Sequence, residues 1–122
     1  MEIIRTVNGD IPPSKLGLTL PHEHLLTLPP EHVSDPDLKM TSAEIAASEL
    51  MHFRRAGGQA IVEMSTADYG RNAVGLRDLA RKTSLNIICA TGFIKEAFFA
   101  KLVSGKTEVG LYDRMVADLE QG

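Results

Sequence analysis

The chain has 122 residues, 43% hydrophobic and 24% charged, with a net charge of −3 and one cysteine. That balance suits an ordinary globular domain with its own core. It excludes a basic nucleic-acid footprint, a polybasic membrane patch and an internal disulfide. No apolar run approaches the length of a membrane span, and "MEIIRTVNGD" lacks the apolar stretch of a secretory leader, so a cytoplasmic protein is expected.

In chain order, "EIIRTV", the dipeptide Asn8-Gly9 and "DIPPSKLGLTL" read as a hairpin, because a type I′ turn needs positive φ at both central residues. Pro12 and Pro13 keep the return irregular up to Leu16. "LGLTLPHEHLL" follows as a strand that Pro21 ends or bends, and "TLPPEHVSDPDLKM" as a loop. Thr41 opens a helix with a Thr41/Glu44 capping box. Ala43, Ala46, Ala47, Leu50 and Phe53 form its apolar stripe, and Gly57 and Gly58 end it. "QAIVEMST" is a strand, "ADYGRN" a loop, and "AVGLRDLARKTS" a helix with Leu76, Leu79, Ala80 and Thr83 on one face. "LNIICATG" is an apolar strand expected to be covered on both sides. "FIKEAFFAKLVSGK" reads as a loop with local helical character. A last helix runs from Thr107 to Gln121, with Val109, Tyr112, Met115, Val116 and Leu119 as its core stripe.

A hairpin followed by three βα units implies a parallel sheet, either doubly wound or part of a (β/α)₈ barrel. A complete barrel needs about 250 residues. Within "LTLPHEHLL", His22 and His24 are two residues apart, so on a strand they project together while Glu23 points away. Two neutral imidazoles side by side where a strand meets a long loop can share a divalent ion. Alone, an H-x-H is a weak signal.

The context is more specific. "GLTLPHEHL" resembles the first-strand motif of the phosphotriesterase family, in the amidohydrolase superfamily. "TVNGDIPPSKLGLTLPHEHL" is similar to that family's N-terminal hairpin and first strand, "IVEMSTADYGRN" to its second strand and glycine-arginine loop, and "NIICATGFIKEAFF" to its third strand and the segment after it. The resemblance implies the N-terminal portion of a (β/α)₈ TIM-type barrel, with residues 1–122 an incomplete part of a metal-dependent hydrolase domain. It implies that His22 and His24 bind the more buried of two divalent ions, most simply zinc. A carboxylated lysine, two more histidines and an aspartate complete such a site from later strands. None has a counterpart here, since Lys95, Lys101 and Lys106 lie in the wrong segments. No catalytic residue is therefore assigned within the chain, and the chain alone is expected to be inactive. Small phosphotriesters, lactones or other esters are the implied substrates. Phe93 and Ile94 are expected to line the pocket, Ile94 standing where lactonase-like members commonly carry an aromatic residue.

Other residues have plainer readings. His32 and His52 are surface or packing residues, and Phe98 and Phe99 pack. Asp68 and Arg71 form a rim ion pair. Glu63, if buried, needs a partner, with Arg71 the candidate. Cys89 is inert core. Two alternatives to the hydrolase reading remain: a non-catalytic piece that associates with itself or a complementary fragment through open sheet edges, and a complete doubly wound domain binding an anion at a helix N-terminus.

Overall fold

The computed structural model describes residues 2–121. Strands β1 (Ile4–Thr6) and β2 (Gly9–Ile11) form the antiparallel hairpin, pairing Thr6 with Gly9 and Ile4 with Ile11. The turn is therefore Val7-Asn8, one residue earlier than the dipeptide signal suggests. Asn8 is not among the positive-φ residues, and only Gly9, at φ 116°, takes that conformation. The hairpin docks on the sheet through Val7, whose N–H donates to the Ile87 carbonyl at 2.9 Å.

Three parallel strands follow: β3 (Thr19–Glu23), β4 (Ala60–Glu63) and β5 (Asn86–Cys89), side by side in chain order. Pro21 lies inside β3 and does not end it. The register shifts there, with Leu20 opposite Ile61 but Glu23 opposite Glu63. A bulge on an edge strand accommodates a residue that has no N–H to donate.

After β3 the chain makes a long excursion that is closed at its base. Thr27 and Met40 exchange backbone hydrogen bonds of 2.8 and 3.1 Å, and the Thr27 hydroxyl donates to the Leu38 carbonyl at 2.7 Å. Helix α1 (Ala43–Arg55) then starts. Its N-cap is Ser42, which accepts the Ile45 N–H, not Thr41. Met40 is pinned to Thr27, so the chain turns into the helix one residue later than the capping box places it. Gly58 closes α1 by donating to the Phe53 carbonyl, so near the Phe53 ring that a Cβ would lie 2.3 Å from it. Helix α2 (Ala73–Thr83) is capped by Asn72, whose side chain accepts the Gly75 N–H at 2.9 Å.

Helices α1 and α2 pack on each other and on one face of the sheet. Ala46, Ala47 and Leu50 from α1 and Leu76, Leu79 and Ala80 from α2 bury Ile61 and Ile87. Ala43, at the start of the expected stripe, is exposed. Strands that step in one direction with both helices on the same side form the wall of a barrel. A doubly wound sheet reverses direction and carries helices on both faces. The other face of β5 is correspondingly open, and Ile88 is only half-buried, so β5 is not covered on both sides.

The segment after β5 contains a true helix, α3 (Glu96–Val103), followed by α4 (Glu108–Gln121). Phe98 from α3 is buried against Tyr69, ring centroids 5.2 Å apart. The expected core stripe of α4 does not form a core. Val109 is 68% exposed, Tyr112 62% and Leu119 66%, because no described element packs on that side. Among the described residues no helix is long and apolar enough to cross a membrane.

Candidate functional site

His22 lies at the C-terminal end of β3 and His24 just beyond it. Their rings are edge to face with centroids 5.6 Å apart, His22 exposed and His24 half-buried. Three groups fix His24. Its Nδ1 is 2.9 Å from the Ser65 Oγ, its ring meets Tyr69 edge-on at 5.3 Å, and Tyr69 is wedged from behind by Phe98. Burial, then the neighbouring His22, hold the His24 pKa below its ordinary value, with Glu23 pulling the other way. A neutral imidazole is the form that can lend a lone pair to a metal.

Beneath the pair sits Glu63, fully buried. Its partner is not Arg71 but backbone: one carboxylate oxygen accepts the Leu25 N–H at 3.2 Å, the other the Ser65 N–H at 3.1 Å. Burial pushes its pKa up, opposed by Ser65, by the two amides and by the more distant charge of Arg71. Glu63 therefore staples the loop after β3 to the end of β4.

The rim is organised differently from the expected Asp68–Arg71 pair. Asp68 is buried and accepts the Ile94 N–H with both oxygens, at 3.2 and 3.0 Å, and the Thr66 hydroxyl. Arg71 instead donates to the Ala90 carbonyl at 2.9 Å and pairs with Asp118 of α4 at 3.0 Å. Asp118 also accepts from Thr91 at 2.7 Å. Its burial alone would raise its pKa, but the hydrogen bonds from Thr91 and Arg71 hold it low.

Ile94 is thereby anchored by its backbone and is 40% exposed, and the Phe93 ring packs against Phe99 at a tilt of 60°, centroids 5.8 Å apart. His32 donates its Nε2–H to the Ala97 carbonyl, and His52 meets Arg55 on the surface of α1, both outside the site. Lys95 lies over the Phe98 ring at 4.5 Å. Among the described residues no group of three or more His, Cys, Asp or Glu side chains is placed to hold a metal ion. The pair His22/His24 thus offers two donors. Sequence reading missed Ser65 and Tyr69. For Ser65 a signal existed: Glu63 interrupts an apolar strand, and a hydroxyl two residues on lies within reach of whatever satisfies it.

A hairpin followed by one-directional βα units, with paired imidazoles at the C-terminal end of the first parallel strand, defines the opening portion of a TIM-type barrel. The phosphotriesterase family model matches residues 2–122, and the chain belongs to that family. It is 35% identical over 127 residues to a phospho-furanose lactonase of Mycoplasmopsis agalactiae, covering 99% of this chain and 36% of that protein. It is 33% identical over 149 residues to an N-acetyltaurine hydrolase of Xenopus tropicalis, covering 98% of this chain and 43% of that protein. The crystal structure of an amidohydrolase from Mycoplasma synoviae superposes with a TM-score of 0.90 at 30% identity, covering 99% of this chain and 36% of that one. The chain therefore spans well under half the length of these relatives.

Proposed function

We propose that residues 1–122 are the N-terminal portion of a divalent-metal hydrolase domain, with His22 and His24 as its first-strand ligands. Zinc is the simplest ion for such donors. The observation that carries the reading is the imidazole pair at the end of β3, with the Nδ1 of His24 already occupied. When bound, an ion at such a site activates water and polarises the bond under attack. This chain's part is to hold and orient two nitrogens; a binuclear centre needs further ligands. Phe93 and Ile94 give the pocket an apolar wall. A lactone or other small ester is the favoured substrate class, on the likeness to the phospho-furanose lactonase. The likeness to an N-acetyltaurine hydrolase puts an amide beside lactone, ester and phosphotriester in the first substrate panel. Cys89, a free thiol, fits a reducing cytoplasmic compartment.

The test is zinc uptake by the 122-residue chain, measured by equilibrium dialysis and elemental analysis. Weak binding is expected, and none in the His22→Ala, His24→Ala double variant. Unchanged stoichiometry in that variant, or no uptake by the wild type, overturns the assignment.

A second reading, association through open edges, is favoured by one observation: the exposed Val109, Tyr112 and Leu119 on α4, together with a β5 whose strand partner in the three-stranded sheet is β4 alone. Light scattering after size exclusion is expected to show oligomers that Val109→Glu with Leu119→Glu dissolves. A clean wild-type monomer refutes it.

A further inference from the structure

Three segments follow the C-terminal ends of the parallel strands: the excursion after β3, a short turn after β4 at Ala67–Tyr69, and the stretch from β5 into α3. The middle one is bonded to both others. Asp68, buried, takes the Ile94 N–H on both carboxylate oxygens. Tyr69, also buried, reaches the excursion twice: its hydroxyl donates to the Leu38 carbonyl and its carbonyl accepts the Leu28 N–H, both at 3.1 Å. Its ring lies between those of His24 and Phe98, with centroids 5.3 and 5.2 Å away. The next residue, Gly70, is so close to the excursion that a Cβ would lie 2.6 Å from the Leu28 carbonyl oxygen. Backbone crosses backbone here without slack. In a close-packed interior, a ring held between two others cannot tilt without displacing what it touches.

We propose that the turn Ala67–Tyr69 couples the pocket wall to the imidazole pair: Asp68 sets the place of Ile94, Tyr69 sets the orientation of the His24 ring, and a displacement at either end is felt at the other. Both are positioning residues, Asp68 acting through the Ile94 backbone and Tyr69 through its ring. A small molecule that presses on Ile94 thereby adjusts His24. Coupling is reciprocal, so an ion on His24 changes how tightly Ile94 is held. The inference deepens the metal-centre reading and rests on it for its purpose, but the coupling is measurable without any metal.

The experiment is amide hydrogen exchange and histidine-ring NMR on the metal-free 122-residue chain, with His24 assigned by loss of its signals in His24→Ala. The Leu28 and Ile94 amides lie outside regular strands and helices. In the wild type they are expected to exchange at least about tenfold more slowly, relative to intrinsic rates, than that of exposed Glu31. Asp68→Ala is expected to speed Ile94 exchange about tenfold. It is also expected to move the His24 ring signals, although the Asp68 side chain bonds to Thr66 and Ile94 and to no histidine. Phe98→Leu is expected to move them through Tyr69, and decides the matter if Asp68→Ala does not fold. Tyr69→Leu moves them too, whereas Tyr69→Phe, which keeps the ring, leaves them as in the wild type. His32→Ala cuts a separate tie, from the excursion to the Ala97 carbonyl, and leaves them unchanged. Fast exchange of Leu28 and Ile94 in the wild type overturns the proposal. So does a folded Asp68→Ala or Phe98→Leu with wild-type His24 signals, or a Tyr69→Phe or His32→Ala that moves them as far as Tyr69→Leu. A zinc titration against a competing chelator keeps the two ideas apart. Affinity lowered about tenfold to a hundredfold in Tyr69→Leu and retained in Tyr69→Phe supports both. Equal affinity in wild type and Tyr69→Leu overturns the positioning of His24. A wild type that shows the coupling but binds no zinc keeps the coupling and removes the metal reading.

Discussion

Replacing Glu63 by alanine tests how the floor of the site is held. The substitution strips the acceptor from two amides, those of Leu25 and Ser65, at a position with no solvent exposure. A buried donor left unsatisfied costs about 1–3 kcal/mol, and the small cavity adds to that. Removing a buried carboxyl relieves its desolvation and offsets part of the loss. The net expectation is about 2–4 kcal/mol, a large share of the roughly 5–15 kcal/mol typical of a folded domain. Glu63→Gln keeps the volume and one acceptor but turns an NH₂ toward the other amide, so about 1–2 kcal/mol is expected. Urea unfolding followed by circular dichroism gives both values from the shift in midpoint at constant slope. The pH dependence has a definite sign. Burial raises the folded pKa of Glu63 above its unfolded value of 4.5. The associated stabilisation is thus present below that value and is lost as pH rises through the folded pKa. The cost of Glu63→Gln relative to wild type is therefore larger near pH 4 than near pH 7. A cost below about 0.5 kcal/mol for Glu63→Ala, which is the scale of an ordinary surface change, refutes the staple.

Asp118→Asn removes the ion pair to Arg71 but leaves Thr91 an acceptor. The pair is partly exposed, so the loss is about 1 kcal/mol, read as roughly fivefold faster hydrogen exchange in α4. Because its neighbours hold Asp118 below its unfolded value of 3.8, that contribution is present above this pH and lost as pH falls through the folded pKa. Burial, then the charge of Glu63, push the Cys89 thiol to about 11. The folded chain is therefore expected to resist a disulfide reagent at pH 8 and to react promptly in denaturant; rapid reaction in the native state contradicts this. With two imidazoles and no third ligand-type neighbour among the described residues, the 122-residue chain is expected to hydrolyse no ester, lactone or phosphotriester above a His22→Ala control. Zinc-dependent turnover abolished in that control contradicts it.

Elements whose pattern is decided locally were legible in the sequence. The α2 stripe of Leu76, Leu79, Ala80 and Thr83 is buried residue for residue, because amphipathic spacing leaves one way to dock a helix on a sheet. The same rule misreads α4, since periodicity says which face is apolar and not whether anything covers it. Asn8-Gly9 and Thr41 fail by one residue each. In both places a distant contact sets the phase: Val7 against Ile87, and Met40 against Thr27. The imidazole pair was readable from spacing, but its support was not. Arg71 and Glu63 each had an obvious charged partner in the sequence, and each found a different one in space, Asp118 and backbone amides.

The bulge at Pro21 has a consequence for which side of the wall the histidines occupy. In a strand with unbroken alternation Leu20, His22 and His24 would share one face, and Leu20 packs against the helix-side core. His22 would then lie beside Glu63, inside the apolar layer. The extra residue brings Glu23 to that place instead and throws both imidazoles to the opposite side. One inserted residue thus acts as a phase switch between the part of the strand that builds the fold and the part that does chemistry. Deleting Pro21 would keep every side chain of the H-x-H and turn its two nitrogens toward oil.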